Sequence, residues 1–586
     1  MNFMNPERTG LLNRLWAFQR RSGYIRDEDI QACAAWLGIS AIEVEGVASF
    51  YHFFHRQPAG AIQIYLDNSI IAEFNGLDAI QTAFETATGA KTGGVDPSGR
   101  FGLFTTPCIG LSDQQPAALI DFQPFTRLTP EKVHRLIERI KQGEAPADLS
   151  DTVAPNIRYR PPGDRSVFFR ETYTPGNALQ QAHALGPAGT IAALKTAELS
   201  GRGGAFFPSW LKWNACREQA AVPKYVVCNA DEGEPGTFKD RVLLQVCPET
   251  VLEGMLIAGL TIGAAEGIIY LRGEYTWLLP RVEGAIAGLR KTGLLGKDAG
   301  GIRGFDFDIR IQLGAGAYVC GEETALLESM EGKRGEPRTK WFFPVEKGYL
   351  QQPTLVNNVE TFAAAAHILD LGAAAYCQRG IPGSPGTKLI SVSGDCAQPG
   401  LYEIEWGMPV AELLGHCGAD DPYFIQVSGP SGECISMAEK DRRISMLDLL
   451  QRKGIRCGGS FMIFNRQRDL LRILLNFSAF FKHESCGVCT PCRAGNFIIQ
   501  RQLEKLDHGL ALESDLQAIR DWGAIMKAAS RCGLGKTAPN TLIMAMEKFH
   551  ADFAPRLSHT ADDLNRAFDL TRAEADYEQY NATHHG

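Results

Sequence analysis

The chain has 586 residues, 45% of them hydrophobic and 22% charged, with a formal net charge of −8. That length exceeds what one hydrophobic core sustains and implies several domains, while the acidic balance argues against a nucleic-acid partner. Fifteen cysteines, odd in number and set in apolar runs such as Tyr225-Val226-Val227-Cys228, do not make a disulfide framework and point to a reducing cytoplasm. Met1 to Thr9 lacks the apolar core of a signal peptide. The longest apolar stretch, Met255 to Leu271, is glycine-rich and interrupted by Glu266, so no membrane span is expected.

Residues 1–55 read as helical, with Leu11, Leu12, Leu15 and Phe18, then Ile30, Cys33, Ala34 and Leu37, at helical spacing. Between 60 and 125 the pattern becomes α/β: strands at 61–66, 100–104 and 117–120, and a helix from Gly76 to Thr86. Residues 144–177 are rich in Pro, Asp and Arg without periodicity and read as a linker. From 178 to 375 strands at Tyr225–Asn229, Gly267–Leu271 and Phe307–Gln312 alternate with helices. Residues 386–455 carry short strands and turns, residues after 465 are helical to about 555, and a charged tail ends the chain.

Within the C-terminal helical stretch lies Cys486-Gly487-Val488-Cys489-Thr490-Pro491-Cys492, and Cys532 follows in a turn-rich segment. A C-x2-C-x2-C loop wraps three corners of a [4Fe-4S] cube, the fourth thiolate coming from elsewhere in the fold. Zinc is the rival, although its sites more often pair two C-x2-C knuckles.

Four further segments carry ligand chemistry. Gly201-Arg202-Gly203-Gly204-Ala205 is a glycine turn that departs from the dinucleotide fingerprint at Phe206, yet bare N–H groups there suit a phosphate, with Arg202 and Lys212 supplying charge. Asn229-Ala230-Asp231-Glu232-Gly233-Glu234 follows a strand directly, where open α/β sheets place their ligands. Tyr318-Val319-Cys320-Gly321-Glu322-Glu323 ends a second glycine-rich element, and Val356-Asn357-Asn358-Val359-Glu360-Thr361 is amide-rich. Taken singly, each also reads as a plain turn, cap or solvated loop.

In this order, with Arg334-Gly335-Glu336-Pro337-Arg338 and Cys532-Gly533-Leu534-Gly535, they resemble the flavoprotein subunit of the NADH-oxidising module of respiratory complex I. Residues 1–143 resemble that subunit's thioredoxin-like [2Fe-2S] partner, but Leu66, Ile71 and Ser112 stand at three ligand positions and only Cys108 survives. Such a fusion is similar to the large diaphorase subunit of soluble NAD-reducing [NiFe]-hydrogenases. The resemblance implies a multidomain α/β and α chain. Its parts are a helical and thioredoxin-like domain (1–143), a linker (144–177), a Rossmann-like FMN/NAD domain (178–375), a ubiquitin-like β-grasp domain (376–465), a helical bundle (466–555) and a tail (556–586).

The resemblance also implies FMN held by Gly201, Arg202, Gly203, Lys212, Asn229, Asp231, Gly321, Glu322, Asn357, Asn358 and Thr361. Phe207, Lys212, Glu234, Tyr318, Glu323 and Phe343 would line the NAD(H) site, and Glu232 and Val356 complete the cofactor-binding set. Arg272 is expected to balance phosphates, and Phe206 and Trp210, at family glycines, to shape the nucleotide entrance. Cys486, Cys489, Cys492 and Cys532 would hold the [4Fe-4S] cluster. The implied partners are an iron–sulfur diaphorase small subunit and hydrogenase subunits. A formate dehydrogenase diaphorase, a complex I subunit and a non-catalytic scaffold are the competing placements.

Overall fold

The computed structural model describes residues 6–449, 458–558, 571 and 574–579, in two compact units that divide after Gln467. Part of the expected β-grasp domain (450–457) and most of the tail lie outside the described residues.

In the first unit, helices Leu11–Ser22, Asp27–Leu37 and Ala41–Ala48 precede a five-stranded sheet. From edge to edge its strands are Gly94–Val95, Phe101–Thr106, Ile62–Asp67, Ala118–Ile120 and Gln123–Phe125. Ile62–Asp67 is buried along almost its whole length and runs parallel to Phe101–Thr106, as a central strand covered on both faces does. Helices Leu77–Thr88 and Pro130–Lys141 turn their apolar stripes onto it.

Four parallel strands follow, in the order Thr354–Asn358, Tyr225–Ala230, Glu266–Leu271, Asp308–Leu313. Thr354–Asn358, which overlaps the amide-rich patch Val356–Thr361, is therefore an edge strand of this sheet. Helices Asn177–Thr196, Pro248–Ile262 and Val359–Leu371 pack together in the main apolar core of this domain. No single helix is long and apolar enough to cross a membrane among the described residues. The bent pair Lys239–Val246 and Pro248–Ile262 passes by length and composition, but most of its apolar side chains belong to this core.

A six-stranded mixed sheet comes next, in the order Glu433–Ser436, Pro422–Val427, Ser460–Asn465, Thr387–Gly394, Gly400–Glu405, Ile157–Tyr159. Its edge strand Ile157–Tyr159 comes from the segment read as a linker. The same segment sends Val167, Phe168 and Phe169 into the core of the parallel-sheet domain, and Glu403 accepts from the N–H groups of Val167 and Phe168. Apolar side chains hidden among Pro and Arg make this stretch a structural seam.

The N-terminal region is stitched to the parallel-sheet domain. Trp16 Nε1 donates to Gly314 O at 3.1 Å, and the N–H groups of His52 and Phe53 donate to Gly316 O and Ala315 O at 2.9 and 3.1 Å. Asp113 and Arg241 form an ion pair at 2.9 Å with both side chains wholly buried.

The second unit packs helices Leu470–Glu484, Thr490–Asp507 and Glu513–Ala529 with the shorter Gly533–Thr537 and Asn540–Lys548.

Candidate functional site

Parallel strands end together, and here two of them end in amides. Asn357 and Asn358 lie beside Cys228 and Asn229 in register, so the carboxyl edge of the sheet carries a cluster of side-chain donors and acceptors where α/β sheets bind ligands. Asn229 Nδ2 donates to Gly321 O at 2.9 Å, and its Oδ1 accepts from Asp231 N at 3.1 Å. Thr361 Oγ1 accepts from Arg202 N at 2.8 Å, which ties the glycine turn to the start of helix Val359–Leu371. The four motifs thus meet at one cleft.

The cleft fits a phosphate-bearing cofactor. Among the described residues, the N–H groups of Gly203, Gly204 and Ala205 have no protein acceptor, and successive free N–H groups make an anion cradle. A side chain at Gly203 would put its Cβ 3.1 Å from Asn358 Cβ, so glycine keeps the turn against the amide floor. Asn357 Oδ1 accepts from the buried Trp213 Nε1 at 2.9 Å, which aims Asn357 Nδ2 away from the indole as an uncommitted donor. Trp213, absent from the residues picked out of the sequence, fixes that orientation. Its only signal there is a large aromatic one position after Lys212.

Several side chains point elsewhere. Arg202 is 1% exposed, with Nη1 on Thr387 O, Nη2 on Tyr376 Oη and the guanidinium over Trp406. Only its backbone reaches the cleft, and its charge joins two domains instead of meeting a phosphate. Both oxygens of Glu232 cap helix Lys239–Val246, accepting from Asp240 N and Arg241 N at 2.9 and 3.1 Å, and burial pushes this carboxyl up to about 7. Glu322 likewise caps helix Glu323–Met330, accepting from Thr324 N and Ala325 N. Val356 is a buried strand residue.

Arg272 is no phosphate counter-charge either. It pairs with Glu274 at 2.6 Å and donates to Glu232 O and to Cys108 O. Phe206 takes a left-handed φ of 49° and packs on Trp406 in the core of the six-stranded sheet domain. Trp210 packs against the parallel-sheet core beneath Lys195. Phe206 is thus buried in the neighbouring core, while Trp210 is only partly buried.

At the outer rim, Phe207 and Phe343 are 49% and 62% exposed, apolar faces open to a planar ligand. Lys212 Nζ sits 2.6 Å from Glu323 Oε2. Glu234 accepts from Tyr318 Oη and, at 3.0 Å, from Ser431 N, which belongs to the six-stranded sheet domain. Burial pushes the Glu234 carboxyl up to about 7 against these hydrogen bonds.

In the second unit, Cys489 caps helix Thr490–Asp507 and Cys492 lies in its first turn, where the helix N-terminus favours thiolates. Burial pushes Cys492 up to about 12, and Cys489, Cys532 and Cys486 each push it the same way. The four thiols therefore share one electrostatic site, poor for four bare thiolates and suited to a cationic core. A side chain at Gly535 would put its Cβ 2.9 Å from Cys492 Cβ, so glycine lets the Cys532 turn close in. Ser485 Oγ and Asn496 Nδ2 flank Cys492 Sγ at 3.3 and 3.4 Å. No group of three His, Cys, Asp or Glu side chains is placed to hold a single metal ion among the described residues.

In the thioredoxin-like domain, Leu66 and Ile71 are buried core residues, and Ser112 Oγ lies 3.3 Å from Cys108 Sγ. One thiol beside two aliphatic side chains does not make a cluster site.

Comparison with known proteins finds three families along the chain. The Nuo51 FMN-binding domain matches residues 194–367, the thioredoxin-like [2Fe-2S] ferredoxin residues 2–141, and the NADH-ubiquinone oxidoreductase-F iron–sulfur binding region residues 472–556. The NAD-reducing hydrogenase HoxS subunit alpha of Cupriavidus necator is 47% identical over 588 residues, 98% of this chain and 96% of that one. The NADP-reducing hydrogenase subunit HndC of Solidesulfovibrio fructosivorans is 40% identical over 372 residues, 63% of this chain and 76% of that one. A chain in the crystal structure of NAD+-reducing [NiFe]-hydrogenase in the H2-reduced state superimposes with a TM-score of 0.89 at 36% identity, covering 98% of this chain and 96% of that one.

Proposed function

The chain belongs to the family of NAD-reducing hydrogenase alpha subunits, and from that premise we propose that it is the diaphorase subunit of such an enzyme. It exchanges hydride between NAD(H) and FMN and passes single electrons through a [4Fe-4S] cluster to or from partner subunits, so that the whole complex performs H2 + NAD+ = NADH + H+. Its partners are an iron–sulfur diaphorase small subunit and hydrogenase subunits, and we place the assembly in the cytoplasm. Similarity running end to end, across the fused N-terminal domain as well as the flavin region, carries this reading. A match limited to the flavin region would fit a complex I subunit or a formate dehydrogenase diaphorase equally well.

Bound FMN supplies two-electron chemistry toward nicotinamide and one-electron chemistry toward iron–sulfur clusters. The protein binds and orients. The free N–H groups of Gly203, Gly204 and Ala205 would hold the phosphate. Asn229, Asp231, Asn357, Asn358 and Thr361 would hold the rest of FMN from the sheet edge, with Trp213 setting which end of Asn357 faces inward. Phe207 and Phe343 would stack on the nucleotide, and Lys212, paired with Glu323 at 2.6 Å, would exchange that partner for a phosphate. Glu234, held by Tyr318 and Ser431, would accept from the nicotinamide nucleotide. Cys486, Cys489, Cys492 and Cys532 would ligate the cluster.

Purifying the tagged chain with its partners tests the reading. The complex should contain FMN, iron and nickel and reduce NAD+ under hydrogen. A nickel-free complex that reduces NAD+ with formate instead would overturn it.

A further inference from the structure

Lys239 and Asp240 open helix Lys239–Val246 and are 1% and 2% exposed. A lysine in a first helical turn opposes the helix dipole, and a buried ion pair stabilises a fold no better than well-packed apolar side chains do. Stability alone is a poor reason for this pair.

Its surroundings suggest another. Asp240 Oδ1 binds Lys239 Nζ at 2.6 Å, and Oδ2 accepts from Asn358 Nδ2, also at 2.6 Å. Lys239 Nζ lies 3.4 Å from Asn358 Oδ1 and 3.2 Å from Glu360, which in turn binds the wholly buried Lys388 at 2.5 Å. Asn358 Oδ1 also caps helix Val359–Leu371 by accepting from Glu360 N at 3.0 Å, so the two charges grip an amide already anchored by the helix, while its Cβ lies 3.1 Å from where a Gly203 Cβ would stand. The pair sits one hydrogen bond behind the wall of the cleft. Burial opposes the Lys239 ammonium, but Asp240 and then Glu360 outweigh it and keep the proton on.

Resting on the reading of this cleft as the FMN site, we propose that Lys239 and Asp240 are positioning residues that fix the Asn358 amide toward the flavin and bias its reduction potential in opposite directions. Reduced flavin carries more electron density than oxidised flavin. A cation behind the amide therefore favours the reduced form and an anion the oxidised form, and the dry surroundings leave both fields weakly screened. This role needs no contact between either side chain and the cofactor.

The test measures the FMN midpoint potential in the purified complex with Lys239→Met, Asp240→Asn and the double variant. Glu360 keeps Lys388 as its partner in all three. Lys239→Met should lower the potential and Asp240→Asn raise it, each by the equivalent of about a tenfold change in relative affinity for reduced over oxidised FMN, about 30 mV for a two-electron couple. The double variant should return close to the wild-type value. Shifts of the same sign in both single variants, or none in either with FMN bound, would overturn the proposal, because a merely structural pair would disturb both alike. If a single variant loses FMN, the double variant decides: FMN bound near the wild-type potential upholds the proposal, and failure to bind it rejects the proposal. Asn357→Leu with unchanged FMN affinity would instead overturn the reading of the cleft itself.

Discussion

The backbone carbonyl of Cys108 accepts a hydrogen bond from Arg272 Nη2 at 2.9 Å, while Nη1 of the same guanidinium holds the carbonyl of Glu232. A domain with one surviving ligand thiol therefore props the acidic loop of the flavin cleft through its main chain. Arg272→Met should lower the FMN-to-protein ratio of the purified complex, because Glu232 O loses its donor. Cys108→Ser should leave FMN content and NADH oxidation by an artificial acceptor within about twofold, since the carbonyl persists and a serine hydroxyl keeps a polar atom beside Ser112 Oγ. A large loss of activity in Cys108→Ser with the complex intact would show that the thiol itself takes part.

For the thiol quartet, Cys486→Ser and Cys532→Ser should each remove about four iron atoms per chain. Electron transfer to partner subunits should stop while FMN stays bound and reducible by NADH. Iron analysis and EPR of the reduced complex decide it: undiminished iron with an unchanged spectrum would end the assignment.

Glu234 gives a pH signature. Its carboxyl is pushed up to about 7 in the folded chain by burial, against about 4.3 for a free glutamate. Between those values the folded state holds a proton that the unfolded state has released, so this group's contribution to stability falls as pH rises through that window and levels off above it. NADH affinity should titrate with an apparent pKa near 7, and Glu234→Gln should flatten that titration and weaken NADH turnover with FMN retained. FMN loss with normal NADH affinity would reverse the role given to Glu234.

How much was legible follows physical lines. Strands Tyr225–Ala230, Glu266–Leu271 and Asp308–Leu313 stand within a residue or so of where the sequence places them, because the inner two are apolar along most of their length and the edge strand Asp308–Leu313 alternates polar and apolar residues. Thr354–Asn358 was missed as a strand because it ends in two asparagines, residues depleted in strands and common in turns. Arg202 and Arg272 were given phosphates because a sequence shows a charge without its partner. Only tertiary packing brings Thr387 O and Tyr376 to one, and Glu232 O and Cys108 O to the other. The place of Phe206 was not legible for a related reason. Its left-handed backbone turns the ring into a neighbouring core, a direction that no residue-type preference announces.

Asp113 and Arg241 are each wholly enclosed, and each is the other's counter-ion, so neither side of that contact can be exchanged alone. A hybrid gene spliced at Ser150, whose foreign N-terminal half brings no acid to the place of Asp113, would strand Arg241 without its carboxylate, at a cost of about 3–5 kcal/mol for a broken buried pair. Around such a pair the N-terminal half and the flavin half are best exchanged as a single cassette, and engineered diaphorases do best with crossover points outside it.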